Sequence, residues 1–232
     1  MDDLEQLKQS PRVTVRRDGA PDPEGRCVLL WVQRAQRSLD NPALDTAIAA
    51  GNALGLPVVA FLGVMPSYPR GNWRHYQFLV DGVPDLAAGL AARNVGFVLR
   101  RHPDHSLLRV AEELRPALVI GDENPLRETE AWRVRAAEKL RVPLWTVDAD
   151  VIVPTRLLGR EQFSARVMRP RLQARLAQFL VASPEDKARV AWTGESDDGR
   201  HTAGVRFEVI TPEQLAWLRQ VLGQLGRAAA PS

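Results

Sequence analysis

The sequence has little cysteine, little lysine and no long apolar run. Cys27 is the single cysteine in 232 residues, so no disulfide can form within the chain. It sits in an apolar stretch, where a lone thiol packs as a small hydrophobe. No stretch approaches the roughly 20 apolar residues that cross a bilayer, so a membrane span is not expected. Lysine is confined to Lys8, Lys139 and Lys187, so nearly all of the 31 basic residues are arginine. An arginine-rich surface suits phosphate contact through paired hydrogen bonds. Here 28 acidic residues nearly balance it, and compositional bias is the simpler reading. Nucleotide signatures are also missing. No GxxxxGK[ST] occurs, and no GxGxxG follows the first apolar run, which excludes the phosphate loop and the common dinucleotide fingerprint. The opening MDDLEQLKQS is acidic and polar without the apolar core of a signal peptide, and a cytoplasmic protein is expected.

The usual catalytic sets are absent too. His102 and His105 flank Asp104 with no cysteine or further histidine nearby, which does not make a metal site. Ser67, Ser106 and Ser164 lack the GxSxG setting of an activated nucleophile. His75 follows Arg74 at the head of a helical stretch and reads as a cap or surface group rather than a base.

What is present is a regular alternation. Residues 1–25 are polar and broken by Pro11, Gly19, Pro21, Pro23 and Gly25, and read as a loose arm. Short runs rich in Val, Leu, Ile and Phe follow at Cys27–Val32, Pro57–Gly63, Gly96–Arg100, Ala117–Ile120 and Leu144–Val147. Such runs are strands buried on both faces. Helical segments separate them at Ala43–Leu54, Tyr76–Asn94, Ser106–Leu114 and Glu128–Leu140. Asn41 is placed to cap the first of these and Pro42 to open it. The order βαβαβαβαβ predicts a doubly wound, Rossmann-like α/β fold with a five-stranded parallel sheet over residues 26–154. A helical and extended C-terminal extension follows. Val151–Pro154 reads as a short strand or an extended crossing. Residues 155–182 form a connector with an arginine-rich helix interrupted at Pro170. Residues 183–204 read as a linker, 205–209 as a strand, and Thr211 as the cap of a last helix reaching Leu225.

In an open α/β sheet the ligand crevice lies outside the carboxyl ends of the strands. Those ends carry Trp31, Arg34, Gln36 and Arg37 after the first strand, and Gly63 and Met65 after the second. Asp122, Asn124 and Arg127 follow the fourth, and Asp148 follows the fifth. These ten residues are the candidate site for a planar or nucleotide-like ligand; the alternative is ordinary loop chemistry and helix capping. Arg166, Arg169, Arg171 and Arg175 form a basic stretch that suits nucleic acid or an acidic protein surface.

Five stretches in register resemble class II photolyases that repair cyclobutane pyrimidine dimers. They are Leu30–Arg37 with Asp40–Leu44, Arg74–Val83, Gly121–Arg127, Val147–Pro154 and Phe163–Arg171. Ala35, Pro42 and the pair Asp150-Val151 depart from the family's common residues, all near the expected crevice. The resemblance implies an N-terminal α/β domain able to hold an antenna chromophore, in some members a deazaflavin. It further implies that FAD, the repair chemistry and most DNA contact belong to a helical domain later in the chain. Only some fifty residues follow the connector here, so FAD and independent repair are not expected of this chain. Three roles are open: a chromophore- or nucleotide-binding module, one part of a split photolyase, or a structural protein that keeps the fold without a ligand. A separately encoded flavin-binding domain, or a second copy of the chain, is the expected partner. A small α/β enzyme of another family is the remotest alternative.

Overall fold

A computed structural model describes residues 2–65, 68 and 71–194. The strand and helix expected after residue 204 lie outside the described residues. The fold is a six-stranded sheet in the order β1-β6-β5-β2-β3-β4. Its strands are β1 (Val13–Arg17), β2 (Cys27–Val32), β3 (Val58–Val64), β4 (Gly96–Arg101), β5 (Pro116–Asp122) and β6 (Leu144–Val147). The doubly wound parallel sheet is present, with one strand more than expected: β1 pairs antiparallel with β6.

Side chains alternate along each strand, and both faces are covered. Val28, Leu30, Val58, Ala60, Leu62 and Ile120 face α2 (Pro42–Leu54) and α3 (Trp73–Ala92). Leu29, Val59, Phe61, Val98 and Val119 face α4 (Leu107–Leu114) and α5 (Arg127–Lys139). Two apolar faces explain why these strands read as unbroken apolar runs.

The arm over residues 1–25 is corrected. It holds α1 (Asp2–Gln9) and the edge strand β1. Val13, Thr14 and Val15 lie opposite Val147, Thr146 and Trp145. VTVRR is short and basic, and only its pairing with β6 makes it a strand. Arg12 adds a second tie, donating to the carbonyls of Asp148 at 3.0 Å and Val151 at 2.8 Å.

Helix ends follow local chemistry. Asn41 Oδ1 accepts from the backbone N–H groups of Ala43 and Leu44, and Gly55 ends α2 at φ 69°, a left-handed geometry that glycine adopts without a Cβ penalty. Asn72 and His75 form a capping box at the start of α3, so His75 is a cap.

Beyond the sheet, Val151–Pro154 forms no strand, and a 3-10 turn follows at Thr155–Leu158. The helix α6 (Ala165–Phe179) runs through Pro170 without a break. No residue of this helix is buried, and an exposed carbonyl that loses its partner to proline can be satisfied by solvent. The linker reading is corrected for residues 183–194. Ser183 Oγ donates to Asp45 at 2.6 Å, the Ala188 N–H donates to the Arg93 carbonyl at 3.0 Å, and the Trp192 ring lies against Gly96. Buried Arg93 anchors this strap, donating to Asp45, Ser38 and Asp186.

Candidate ligand pocket

Strand order reverses between β2 and β5, which sit side by side while their helices α2 and α5 cover opposite faces. A crevice is expected at the carboxyl ends of such a pair. A pocket of about 750 Å3 opens there, within the range of small-molecule sites. The loop after β2 forms one wall. The starts of α3 and α4 and the exposed side of α5 form the others.

The lining is aromatic and cationic. Trp31, Tyr68, Tyr76, Phe78 and Trp132 supply ring surface, and Arg34, His75, His105 and Arg135 supply donors. No Asp or Glu lines it among the described residues. The Tyr68 and Trp132 rings meet edge to face at 5.8 Å between centroids. The Tyr76 hydroxyl donates to the Met65 carbonyl at 2.7 Å and accepts from the Tyr68 N–H at 3.1 Å, holding the segment after β3. Gly63 is required by space, since a Cβ there would lie 2.6 Å from the His105 carbonyl oxygen.

Of the ten candidate residues, Trp31, Arg34, Gln36, Gly63, Met65 and Asn124 line this pocket. Four do not. Arg37 turns aside, with its guanidinium 3.3 Å from Asp150 and 2.5 Å from the Ala149 carbonyl, and borders a neighbouring groove. Arg127 stands exposed at the start of α5. Asp148 faces the connector, where its carboxylate accepts from the Thr155 N–H at 2.8 Å.

Asp122 lies beneath the wall. Its Oδ2 accepts from the backbone N–H groups of Gln33, Arg34 and Ala35 at 3.3, 2.7 and 2.6 Å. Successive N–H groups of this kind form an anion-binding nest. In a dinucleotide fold the ligand's pyrophosphate is bound after the first strand. Here the protein's own carboxylate fills the nest. Burial pushes the Asp122 carboxyl up to about 6, against the pull of the three N–H donors.

A second polar network braces the same wall. Arg133 is fully buried on α5 and donates to the Asn124 carbonyl, to Gln33 Oε1 at 3.3 Å and to Glu130 at 2.8 Å. Arg16 on β1 bonds Glu130 at 2.5 Å and Glu123 at 2.8 Å. Burial opposes the charge on Glu130, but Arg133 and Arg16 outweigh it and hold the carboxyl below its usual range. His105 Nδ1 is buried with no hydrogen-bond partner among the described residues, and burial, then the nearby His102, lowers its pKa.

Sequence reading missed Tyr76, His105, Trp132 and Arg135. Tyr76, Trp132 and Arg135 lie on helices rather than at strand ends, and His105 lies in the loop between β4 and α4, where it read as part of a solvated turn. The α5 pair carried one faint signal, with Trp132 and Arg135 three residues apart on one helix face.

Comparison with known proteins agrees with this architecture. The family model described as DNA photolyase matches residues 28–189. A deoxyribodipyrimidine photo-lyase of Methanothermobacter thermautotrophicus is 34% identical over 163 residues, covering 69% of this chain and 36% of the relative. One from Oryza sativa subsp. japonica is 31% identical over 196 residues, covering 81% and 38%. The chain therefore spans little more than a third of the length of these curated relatives. The crystal structure of the Synechocystis sp. PCC6803 cryptochrome superposes with a TM-score of 0.55 at 15% identity, covering 75% of this chain and 39% of that one; at that identity the likeness is one of fold. By family match, curated relatives and fold together, the chain belongs to the DNA photolyase family and carries its N-terminal α/β domain.

Proposed function

We propose that this domain holds a planar aromatic ligand of the antenna-chromophore type in the pocket at the carboxyl ends of β2, β3 and β5. The observation that carries the proposal is the lining: ring faces and the guanidinium groups of Arg34 and Arg135, with no carboxylate among the described residues. Ring walls suit stacking and edge contact with a flat chromophore. The nest filled by Asp122 disfavours a dinucleotide anchored by its phosphates, so a flavin- or deazaflavin-like ring is preferred. The relatives are photolyases by name. Light-dependent repair of pyrimidine dimers is therefore the proposed setting, with this domain collecting light.

The test is an absorption spectrum of the purified protein together with thermal shifts on adding riboflavin, a deazaflavin and ADP. A bound visible or near-ultraviolet chromophore, or stabilisation by a ring compound but not by ADP, supports the reading. Trp132→Ala is expected to weaken ring binding roughly tenfold, the loss of about 1.4 kcal/mol of contact. Absence of any chromophore and of any shift with all three compounds would count against it.

A docking role is favoured by one further observation. No residue of α6 is buried, and Phe163 just before it is 91% exposed. The helix presents Arg166, Arg169, Arg171 and Arg175 around exposed Val167, and an arginine-rich exposed face with apolar residues beside it suits a partner with an acidic surface. We propose a flavin-binding domain, in the same protein or separately encoded, as that partner. Co-purification with such a domain, abolished by Phe163→Asp, is the expected result.

A further inference from the structure

The loop Gln33–Gln36 forms a wall of the pocket, and one buried carboxylate holds it. Asp122 is 2% exposed. Its two oxygens are in unlike positions. Oδ2 takes all three loop N–H groups. Oδ1 is buried with no hydrogen-bond partner among the described residues. A proton can therefore settle on Oδ1 without displacing a donor. The N–H groups would then face a neutral carbonyl oxygen instead of a carboxylate, and bonds to an ionised acceptor are roughly twice as strong as neutral ones.

The surrounding charges do not pin the carboxylate. Arg34 and Arg37, on the loop, pair with Asp150 at the exit of β6, at 2.6 and 3.3 Å. Glu123, the next residue on the chain, pairs with Arg16 of β1. Arg133 and Glu130 on α5 pair with each other. Asp150 is the charge that acts on Asp122 electrostatically, and it favours the protonated form. Among the described residues, no side chain hydrogen-bonds or ion-pairs with the Asp122 carboxylate, whose donors are the three backbone N–H groups.

We propose that Asp122 is a positioning residue whose charge state sets the wall of the ligand pocket: ionised, it clamps Gln33–Ala35 and shapes the pocket; protonated, it releases them. The proposal rests on the pocket being the ligand site. Its gating range follows from the burial of the group and falls near pH 6, not near 4 where an ordinary aspartate titrates.

The test reads the clamp without a ligand and the pocket with one. Amide resonances of Gln33, Arg34 and Ala35 are followed by NMR from about pH 7.5 to about pH 4, and riboflavin binding is titrated over the same range. The three amides are expected to shift together with a midpoint near 6, and riboflavin affinity to fall severalfold through the same midpoint. Asp122→Asn keeps an acceptor in the nest but cannot ionise; its amides and affinity are expected to lose that step, while the amides of His75→Gln and His105→Gln keep it. Amides that do not move above about pH 5, or a step that survives Asp122→Asn, would overturn the proposal. So would joint movement of the amides with unchanging riboflavin affinity, which leaves the pocket reading intact. Joint movement with no riboflavin binding at any pH instead overturns the pocket reading. If Asp122→Asn fails to fold, the wild-type amides and affinity decide by their shared or separate midpoints.

Discussion

Gly25 has no room for a side chain. A Cβ at this position would lie inside the backbone of Ala117 on the neighbouring strand β5. Backbone cannot swing aside as a flexible side chain does, so Gly25→Ala is expected to destabilise the domain by about 3 kcal/mol, read as a lowered urea midpoint. Asp122 makes a different demand. Burial raises its carboxyl to about 6 in the fold, whereas the unfolded chain titrates near 4. Between those values the folded state holds the extra proton. Stability from this group is full below about pH 4 and is lost as the pH rises through about 6, a loss on the order of 3 kcal/mol. Urea midpoints measured across this range are expected to vary less in Asp122→Asn than in the wild type. Both residues look ordinary in the sequence. The need for glycine comes from a strand it does not belong to, and the raised carboxyl from burial in the packed fold, which outweighs the loop N–H groups nearly ninety positions away.

At the scale of elements, the α2 entry and the C-terminal strap show how loops gain definition. Asn41 is buried and works in both directions. Its oxygen caps α2, while its amide donates to the carbonyls of Ala35 at 3.0 Å and Arg37 at 2.8 Å. Asn41→Ala removes the cap and orphans the loop carbonyls, so a loss of about 2 kcal/mol is expected in chemical denaturation. The cap was legible, because Asn before Pro at a helix start is a local pattern. The loop contacts were not, because they depend on how the loop folds back. The strap over residues 183–194 illustrates the same limit. Its Ser, Pro and charged residues read as a linker, yet Asn52 donates to the Lys187 carbonyl at 3.0 Å and accepts from the Arg189 N–H at 2.8 Å. Trp192 closes the strap against Gly96. Trp192→Ala is expected to speed hydrogen exchange at Ala188 and Arg189 and leave the β2 and β5 amides unchanged, since local opening tracks local contacts.

For the molecule as a whole, the sheet must be closed at its β6 side. The added strand β1 does this, and Arg16 ties it to Glu123 and Glu130 beside the pocket. Deleting residues 2–18 would leave β6 with an open edge, and open edges pair with other chains. Such a truncated protein is expected to self-associate in size-exclusion chromatography in a concentration-dependent way. Five parallel strands, the four helices between them and the edge of the sheet at which a pocket would open were legible in the chain's own residues. Those features rest on local periodicity, capping and the rule that strand ends gather in a doubly wound fold. Tertiary structure decided the rest. It chose which residues of that edge face the pocket, drew in Trp132 and Arg135 from α5, and turned Asp122 away from the pocket and under the loop. The physical reason is that burial, pairing with a distant strand and competition among donors for one carboxylate are properties of the packed chain, and no window of neighbouring residues contains them.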